Sequence, residues 1–325
     1  MSGEFVISLD FELLWGVRDH ATRDTYGANV LGGREAIPRI LDLFERHGIS
    51  ATWATVGLLM AENRDELMAS LPPPDLRPRY TDPRLSNYAY LDEVGEDERR
   101  DPHYYGMSLV RRIADCPGQE IGTHTHANYY PLEPGQNIVS FEADLTAAIS
   151  MAARRNLVPR SIVFPRNQYA EDHLDVCARL GLLAHRGTEV AWPYRATPVA
   201  SQTLVRRGLR LADAHSGVFG AKTFVRTRGI SRMVNVRASQ FLRPKVGLFR
   251  LVHPLHVGTI KRALTHAART ARGYHLWWHP HNFGLKTADN LAVLSNILGH
   301  FKGLAAEYGM VSRAMSPAAD RTVLS

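Results

Sequence analysis

Residues 5–16 read Phe-Val-Ile-Ser-Leu-Asp-Phe-Glu-Leu-Leu-Trp-Gly. The run opens on apolar, β-favouring side chains and closes on two carboxylates, Asp10 and Glu12. Such a run predicts a buried strand of a parallel sheet that carries polar groups at its C-terminal end. The scheme then repeats. Strands are expected in 49–60 (ISATWATVGLLM), 120–125 (EIGTHT), 161–167 (SIVFPRN), 182–187 (LLAHRG) and 274–280 (YHLWWHP), with a further one near 233–238. Helical spacing is found in 33–48, 107–116, 140–156, 171–181, around 200–214, in 255–272 and in 288–309. Strands alternating with helices argue for parallel strands joined by crossovers. The expectation is one α/β barrel-like domain over 1–325, with insertions at about 62–105 and 190–250.

Composition narrows the class. In 325 residues, 45% are hydrophobic and 22% charged, which excludes a disordered or collagen-like chain. No apolar run approaches the roughly 20 residues that span a bilayer. The opening MSGEFVISLDFE has neither the basic nor the apolar region of a secretory signal, so a cytoplasmic protein is expected, with the inner face of a membrane as an alternative site. Two cysteines, Cys116 and Cys177, make no disulfide framework and suit a reducing compartment.

Charge is unevenly placed. Between Asp213 and Asp289 there are thirteen Lys and Arg residues and no acid. An anionic partner is expected from such a stretch, either a charged sugar or a membrane surface. Arg226, Arg228, Arg232 and Arg237 are expected to border the mouth of the barrel. No zinc-finger, RNP or basic-aromatic pattern points to nucleic acid.

Polar clusters end four of the expected strands: Asp10 and Glu12; His124, Thr125, His126 and Asn128; Arg166, Asn167 and Gln168; His279 and His281. The C-terminal strand ends of an α/β barrel converge on one mouth, where catalytic groups sit. Carboxylates and imidazoles together suit metal-assisted hydrolysis, with one carboxylate free to take a proton from water. Strand alternation would turn His126 away from the face of His124.

In these clusters the chain resembles the polysaccharide deacetylases of the NodB-like fold, also called carbohydrate esterase family 4. SLDFELLWG resembles the first motif, which implies Asp10 as general base and Glu12, in place of the usual Asp, as metal ligand. His124-Thr125-His126-Ala127-Asn128 resembles the His-Ser/Thr-x-x-His motif, with Asn128 where the family has its second His. VFPRNQY resembles the third motif and implies that Arg166 orients the catalytic Asp. AHRGTEVAW resembles the substrate-side loop, and LWWHPHN the last motif, implying His279 as general acid. The substrate-binding set implied in this way is Trp15, His126, Tyr129, Asn167, Gln168, Arg186, Trp192 and His281.

The resemblance implies a distorted (β/α) barrel and removal of an acetyl or formyl group from an amino sugar. An anionic cell-surface glycan or lipid-linked precursor, such as a lipopolysaccharide, O-antigen or capsule sugar, is the expected substrate. The expected cofactor is a divalent metal, zinc above others, held by Glu12, His124 and Asn128. An amide oxygen binds zinc less well than imidazole. Two alternatives stay open: a metal-free acyl or amide transferase, and a non-catalytic glycan-binding protein.

Overall fold

Alternation along the first strand sets the layers of the molecule. A computed structural model describes residues 2–198, 201–229 and 231–316, and places β1 at Glu4–Phe11. Phe5, Ile7, Leu9 and Phe11 join the main apolar core under the helices. Val6 faces the other way, into a small interior cluster with Ala54, Val163, Ala184, Val234 and Val236. Ser8, Asp10 and Glu12 continue that inward column, because successive strand side chains alternate. Period two thus puts both carboxylates on the interior face.

The other strands are β2 (Ala51–Thr55), β3 (Gln119–Thr123), β4 (Ser161–Ile162), β5 (Ala184–His185), β6 (Thr227–Arg228), β7 (Val234–Asn235), β8 (Gln240–Phe241), β9 (Gly273–Trp278) and β10 (Val311–Arg313). Their order is β6-β7-β5-β4-β3-β2-β1-β9-β8, and β10 pairs with the first residues of β1. Every pairing is parallel except β6 with β7. Between β7 and β8, Val236 N–H donates to His185 O at 3.0 Å, while Ser239 N–H donates to His275 O at 2.9 Å. The 234–241 stretch therefore crosses from β5 to β9 and joins the two ends of the sheet. This corrects the reading of the basic 190–250 region as an insertion throughout. Its strands are too short to show a periodic pattern.

Eight helices accompany the sheet among the described residues: α1 (Arg23–His47), α2 (Arg64–Ala69), α3 (Met107–Asp115), α4 (Ile138–Ala153), α5 (Glu171–Arg179), α6 (Leu204–Ser216), α7 (His253–Arg269) and α8 (Thr287–Tyr308). The helix expected at 33–48 begins ten residues earlier, at Arg23, behind a Thr22–Thr25 capping box. Gly27, Gly32 and Gly33 weaken the helical signal there. Two of these glycines are needed for close approach. A Cβ at Gly32 would lie 2.2 Å from Gly284 O, and one at Gly33 would lie 2.6 Å from His281 Cα. The helix thereby presses on the loop that follows β9.

The excursion at 62–105 is tied to the loops at the strand ends. Asn87 Nδ2 donates to Trp15 O at 2.9 Å and to Ala127 O at 3.0 Å. No helix among the described residues is long and apolar enough to cross a membrane.

Several imidazoles are buried in neutral form. Burial drives His126, His256 and His275 down to about 3 and His185 to about 4. An unfolded chain takes up protons near the ordinary value of about 6.5, which these folded groups refuse, so stability falls as pH drops below that value. Burial also raises Asp144 to about 6 and Glu189 to about 8, which works in the opposite direction. The buried imidazoles, joined by the lowered carboxyls of Asp10 and Glu12, outweigh these two raised groups, so the net effect is a loss of stability in acid. Neither ring nitrogen of His185 has a hydrogen-bond partner. His185→Leu should therefore keep stability at about pH 7 within about 1 kcal/mol and reduce the loss at about pH 5. Thermal melts at the two values check this, and an unchanged acid sensitivity in the variant would count against it.

Candidate active site

The ends of β1, β3, β4, β5 and β9 meet at one mouth. A cavity of about 160 Å³ there is lined by Asp10, Glu12, Gly16, His124, Asn128, Tyr130, Arg166, Asn167, Trp277 and His279, with Pro165 beside them. Asp10, 3% exposed, is gripped at both oxygens by Arg186: Nη1 donates to Oδ1 at 2.6 Å and Nη2 to Oδ2 at 2.7 Å. Burial pushes the Asp10 carboxyl up, but Arg186, with His124 and His279, more than reverses this and holds it at about 2. It is an ionised carboxylate of fixed orientation.

Arg186 has its own supports. Nη1 donates also to Ser8 Oγ at 3.0 Å, Nε donates to Asn167 Oδ1 at 3.0 Å, and the guanidinium lies 4.1 Å from the Trp277 ring centre. His275 Nδ1 lies 3.1 Å from Val236 O, so this nitrogen is the donor. Its Nε2 then accepts from Ser8 Oγ at 2.8 Å. Donors and acceptors run in one sense from Arg186 through Ser8 to His275.

Glu12 sits beside this clamp, among imidazoles. Its Oε2 lies 3.3 Å from His124 Nε2, and its Oε1 lies 3.4 Å from His279 Nε2 and 3.9 Å from His281 Nε2. Burial raises the Glu12 carboxyl, and His279 and His124 reverse the effect, leaving it below its ordinary value. Gly16 makes room for it. A Cβ at position 16 would stand 1.8 Å from Glu12 Cδ and 2.2 Å from both oxygens. The longer Glu in this motif is accommodated by the absence of a side chain four residues on.

His124 Nδ1 lies 2.7 Å from Val163 O, which can only accept. That contact makes Nδ1 a donor and turns Nε2 toward Glu12. Asn128 donates from Nδ2 to Tyr130 OH at 2.8 Å, while its buried Oδ1 has no hydrogen-bond partner. The turn carrying these groups is held by Asp144 of α4, which accepts from His126 N at 2.7 Å and Ala127 N at 3.2 Å.

The expected site residues separate into two sets. Asp10, Glu12, His124, Asn128, Arg166, Asn167 and His279 line the cavity, and His281 stacks on His279 with ring centres 5.0 Å apart. The orienting role assigned to Arg166 is corrected. Arg166 pairs with Asp19 at 2.6 Å and lies over the Tyr130 ring, whereas Arg186, expected to bind substrate, clamps Asp10 at 1% exposure. The backbone of Arg166 turns into the left-handed region, at φ 55°, which carries its side chain to the cavity wall away from Asp10.

His126, Trp15, Tyr129 and Gln168 are also placed differently from the substrate-binding expectation. His126 is buried behind the turn, with Nε2 3.1 Å from Ser70 Oγ. Trp15 Nε1 donates to Tyr104 O, Tyr129 OH bonds Ser140 Oγ, and Gln168 Nε2 donates to Glu133. Trp192 is half-exposed on a turn outside the cavity lining. Arg226 is at the other end of the barrel, pinned to Glu4 at the start of β1 and to Met315 O, so the expected basic border of the mouth is not built from it.

Sequence reading passed over Ser8, Gly16, Tyr130, Asp144, His275 and Trp277. Alternation from Asp10 back to Ser8, and from His279 back to Trp277 and His275, marks three of them as interior. No comparable signal marks Tyr130, Gly16 or Asp144.

With this geometry in place, solved structures show what the fold is. A crystal structure from Mycobacterium smegmatis, assigned as a polysaccharide deacetylase, aligns with a TM-score of 0.58 at 12% identity, over 97% of this chain and 88% of that one. A second structure so assigned, from Pseudomonas aeruginosa PAO1, gives 0.51 at 10% identity, over 95% and 86%. The Puue allantoinase gives 0.54 at 11% identity, over 98% and 87%. No protein-family model and no curated protein matches the sequence. The chain has the NodB-like (β/α) barrel fold of the polysaccharide deacetylases. An allantoinase on the same fold shows that the barrel by itself does not specify the substrate.

The two arginines differ in what their loss should do. Arg186→Gln strands a buried carboxylate and should cost about 3–5 kcal/mol of stability. Arg166→Gln breaks a partly exposed pair and should cost about 1 kcal/mol or less. Denaturant unfolding of both variants checks this, and equal losses would remove Arg186 from its place as the principal partner of Asp10.

Proposed function

We propose that this chain is a metal-assisted hydrolase that removes an acyl group from the nitrogen of an amino sugar. One observation carries the reading: His124, its Nδ1 engaged by Val163 O, brings Nε2 to 3.3 Å from the Glu12 carboxylate, beside an ionised, clamped Asp10. A ring nitrogen and a carboxylate converging in this way suit a cation held between them. Among the described residues no three His, Cys, Asp or Glu side chains are grouped to hold a metal. The third donor available is an amide, the unpartnered Oδ1 of Asn128. The set Glu12, His124 and Asn128 fits a divalent ion such as zinc, with one weak ligand. Such an ion, when bound, polarises the acyl oxygen and acidifies water.

The chain's own residues do the rest. Asp10 accepts the proton of the attacking water, and the bidentate Arg186 contact fixes its direction. A carboxylate held at about 2 is a weak base, so its contribution rests on placement more than on proton affinity. His279 is the more accessible imidazole at the mouth, and its Nδ1 is 3.3 Å from Asn282 Oδ1. Its Nε2 is left to carry a proton to the leaving amine. Trp277, half-buried in the cavity wall, gives the sugar an apolar edge to rest on. The substrate class we infer is an acetylated or formylated amino sugar of a cell-surface glycan or its lipid-linked precursor, met on the cytoplasmic side.

A second reading, metal-free acyl transfer, is favoured by the three imidazoles around Glu12, which can meet its charge on their own. Zinc titration by calorimetry separates the two readings. The hydrolase reading expects binding that is strengthened by Asn128→His and weakened by Gly16→Ala, because a methyl at position 16 displaces the Glu12 carboxylate. Equal absence of binding in all three proteins gives the site to the transferase reading. Asp10→Asn should lower turnover of an N-acetylated amino sugar about 10²–10⁴-fold. Activity like that of the unmutated protein would take Asp10 out of the mechanism.

A further inference from the structure

The strands are parallel, so the connections that leave their C-terminal ends lie on the mouth face of the barrel. Three of them carry side chains that the core does not use. Leu204 and Val205 open α6 after β5, and they are 84% and 65% exposed. Leu251 and Leu255 stand at the start of α7 after β8, at 78% and 58%. Trp192 and Leu285, on the β5–α6 and β9–α8 connections, are about half exposed. Apolar tips this bare are not explained by packing.

The starts of both helices are tied to chain that leaves a strand at the mouth end. Arg206, in the first turn of α6, donates from Nη2 to Trp192 O at 2.8 Å and Arg195 O at 3.2 Å, in the connection that leaves β5. At the start of α7, His253 Nε2 lies 2.9 Å from Arg243 O and His256 Nε2 accepts from Arg243 N at 3.2 Å, just beyond the end of β8.

The same segments are almost free of acid. From Val190 to Ala288 the one acidic residue is Asp213, which is buried and ion-paired with Lys222. Arg195, Arg207, Arg250 and Lys286 are exposed among the apolar tips. Aliphatic tips interleaved with unopposed cations match a bilayer with anionic headgroups: the tips enter the acyl boundary and the cations meet the lipid charge. Nucleic acid would make use of the cations alone and leave the aliphatic tips idle. A second copy would bring the same positive surface against itself.

We propose that the rim of the barrel mouth, formed by the β5–α6, β8–α7 and β9–α8 connections, docks on an anionic lipid bilayer. Docking in this way opens the cavity onto the headgroup layer, where a lipid-linked sugar would lie. The inference rests on the surface and not on the chemistry of the cavity, so the two stand or fall separately.

The test is co-sedimentation of the full chain with vesicles of phosphatidylcholine alone and of phosphatidylcholine mixed with phosphatidylglycerol. Binding is expected to the mixed vesicles only. It should weaken as salt rises from about 0.1 M to about 1 M, where the Debye length falls from about 10 Å to about 3 Å. The double variant Leu204→Glu/Leu251→Glu should lose binding with an unchanged melting temperature, since both side chains are exposed. Arg207→Gln and Arg250→Gln should each weaken it about fivefold. Arg228→Gln, on β6 at the far end, should bind as the unmutated chain does. The proposal is overturned by failure to bind the mixed vesicles, or by undiminished binding of the double variant. It is also overturned if these apolar substitutions abolish only a self-association seen by sedimentation equilibrium.

Discussion

The ion pair between Arg186 and Asp10 is the constraint around which the mouth is organised. Both partners are buried, and a charge removed from water is tolerable only when its counter-charge and its hydrogen bonds are in place. Arg186 spends its donors on Asp10, Ser8 and Asn167 and lays its flat face on Trp277. Those contacts come from β1, from the turn after β4 and from β9. A shift of any of these by one residue would turn the required group to the other face of the sheet. The same interaction that makes Asp10 usable therefore fixes the register of the strand ends.

Strain gathers at the same place. Thr125, Asn128, Arg166 and Asn167 all adopt positive φ, between 53° and 65°, in the turns that follow β3 and β4. Such conformations are unfavourable for side chains other than glycine, and most so for a β-branched one such as Thr125. They are held by neighbours: Asp144 takes two N–H groups of the first turn, and Thr125 Oγ1 accepts from Tyr129 N at 2.7 Å. The mouth is a set of tight turns whose polar ends point inward, fastened from the helix side. Rigidity of this kind suits a site that orients a weak base and a small set of ligands, because placement then costs little at the moment of reaction.

Barrel and rim divide the remaining work. The interior column of β1 passes from Val6 through Ser8 to Asp10 and Glu12, so polarity rises toward the mouth along a single strand. Around that mouth, the loops after β5, β8 and β9 carry the features that vary most readily on this architecture, exposed tips and surface charge. Solved structures on the same fold include one assigned as a polysaccharide deacetylase and an allantoinase, which accords with chemistry being set by the cavity and the loops.

Much of this was legible in the sequence, because a parallel barrel writes its site locally. Each strand is a short apolar run, and each delivers its polar residues immediately after, so Asp10, Glu12, His124, Asn128, Arg166, Asn167 and His279 could be read off as cavity candidates one strand at a time. What could not be read was which of these groups meet. Arg166 and Arg186 both end a strand, and the left-handed turn at Arg166 and the straight exit at Arg186 decide which one reaches Asp10. Gly16 has a role only because the Glu12 carboxylate folds back over it, and the extent of α1 was hidden by glycines whose purpose is contact with the β9 loop. The closing stretch 234–241 pairs through runs of two residues, too short for any periodicity to show. Order along the chain determined the residues offered to the mouth. Distances between strand ends, set by packing and by the need to neutralise a buried carboxylate, decided what each of them does there.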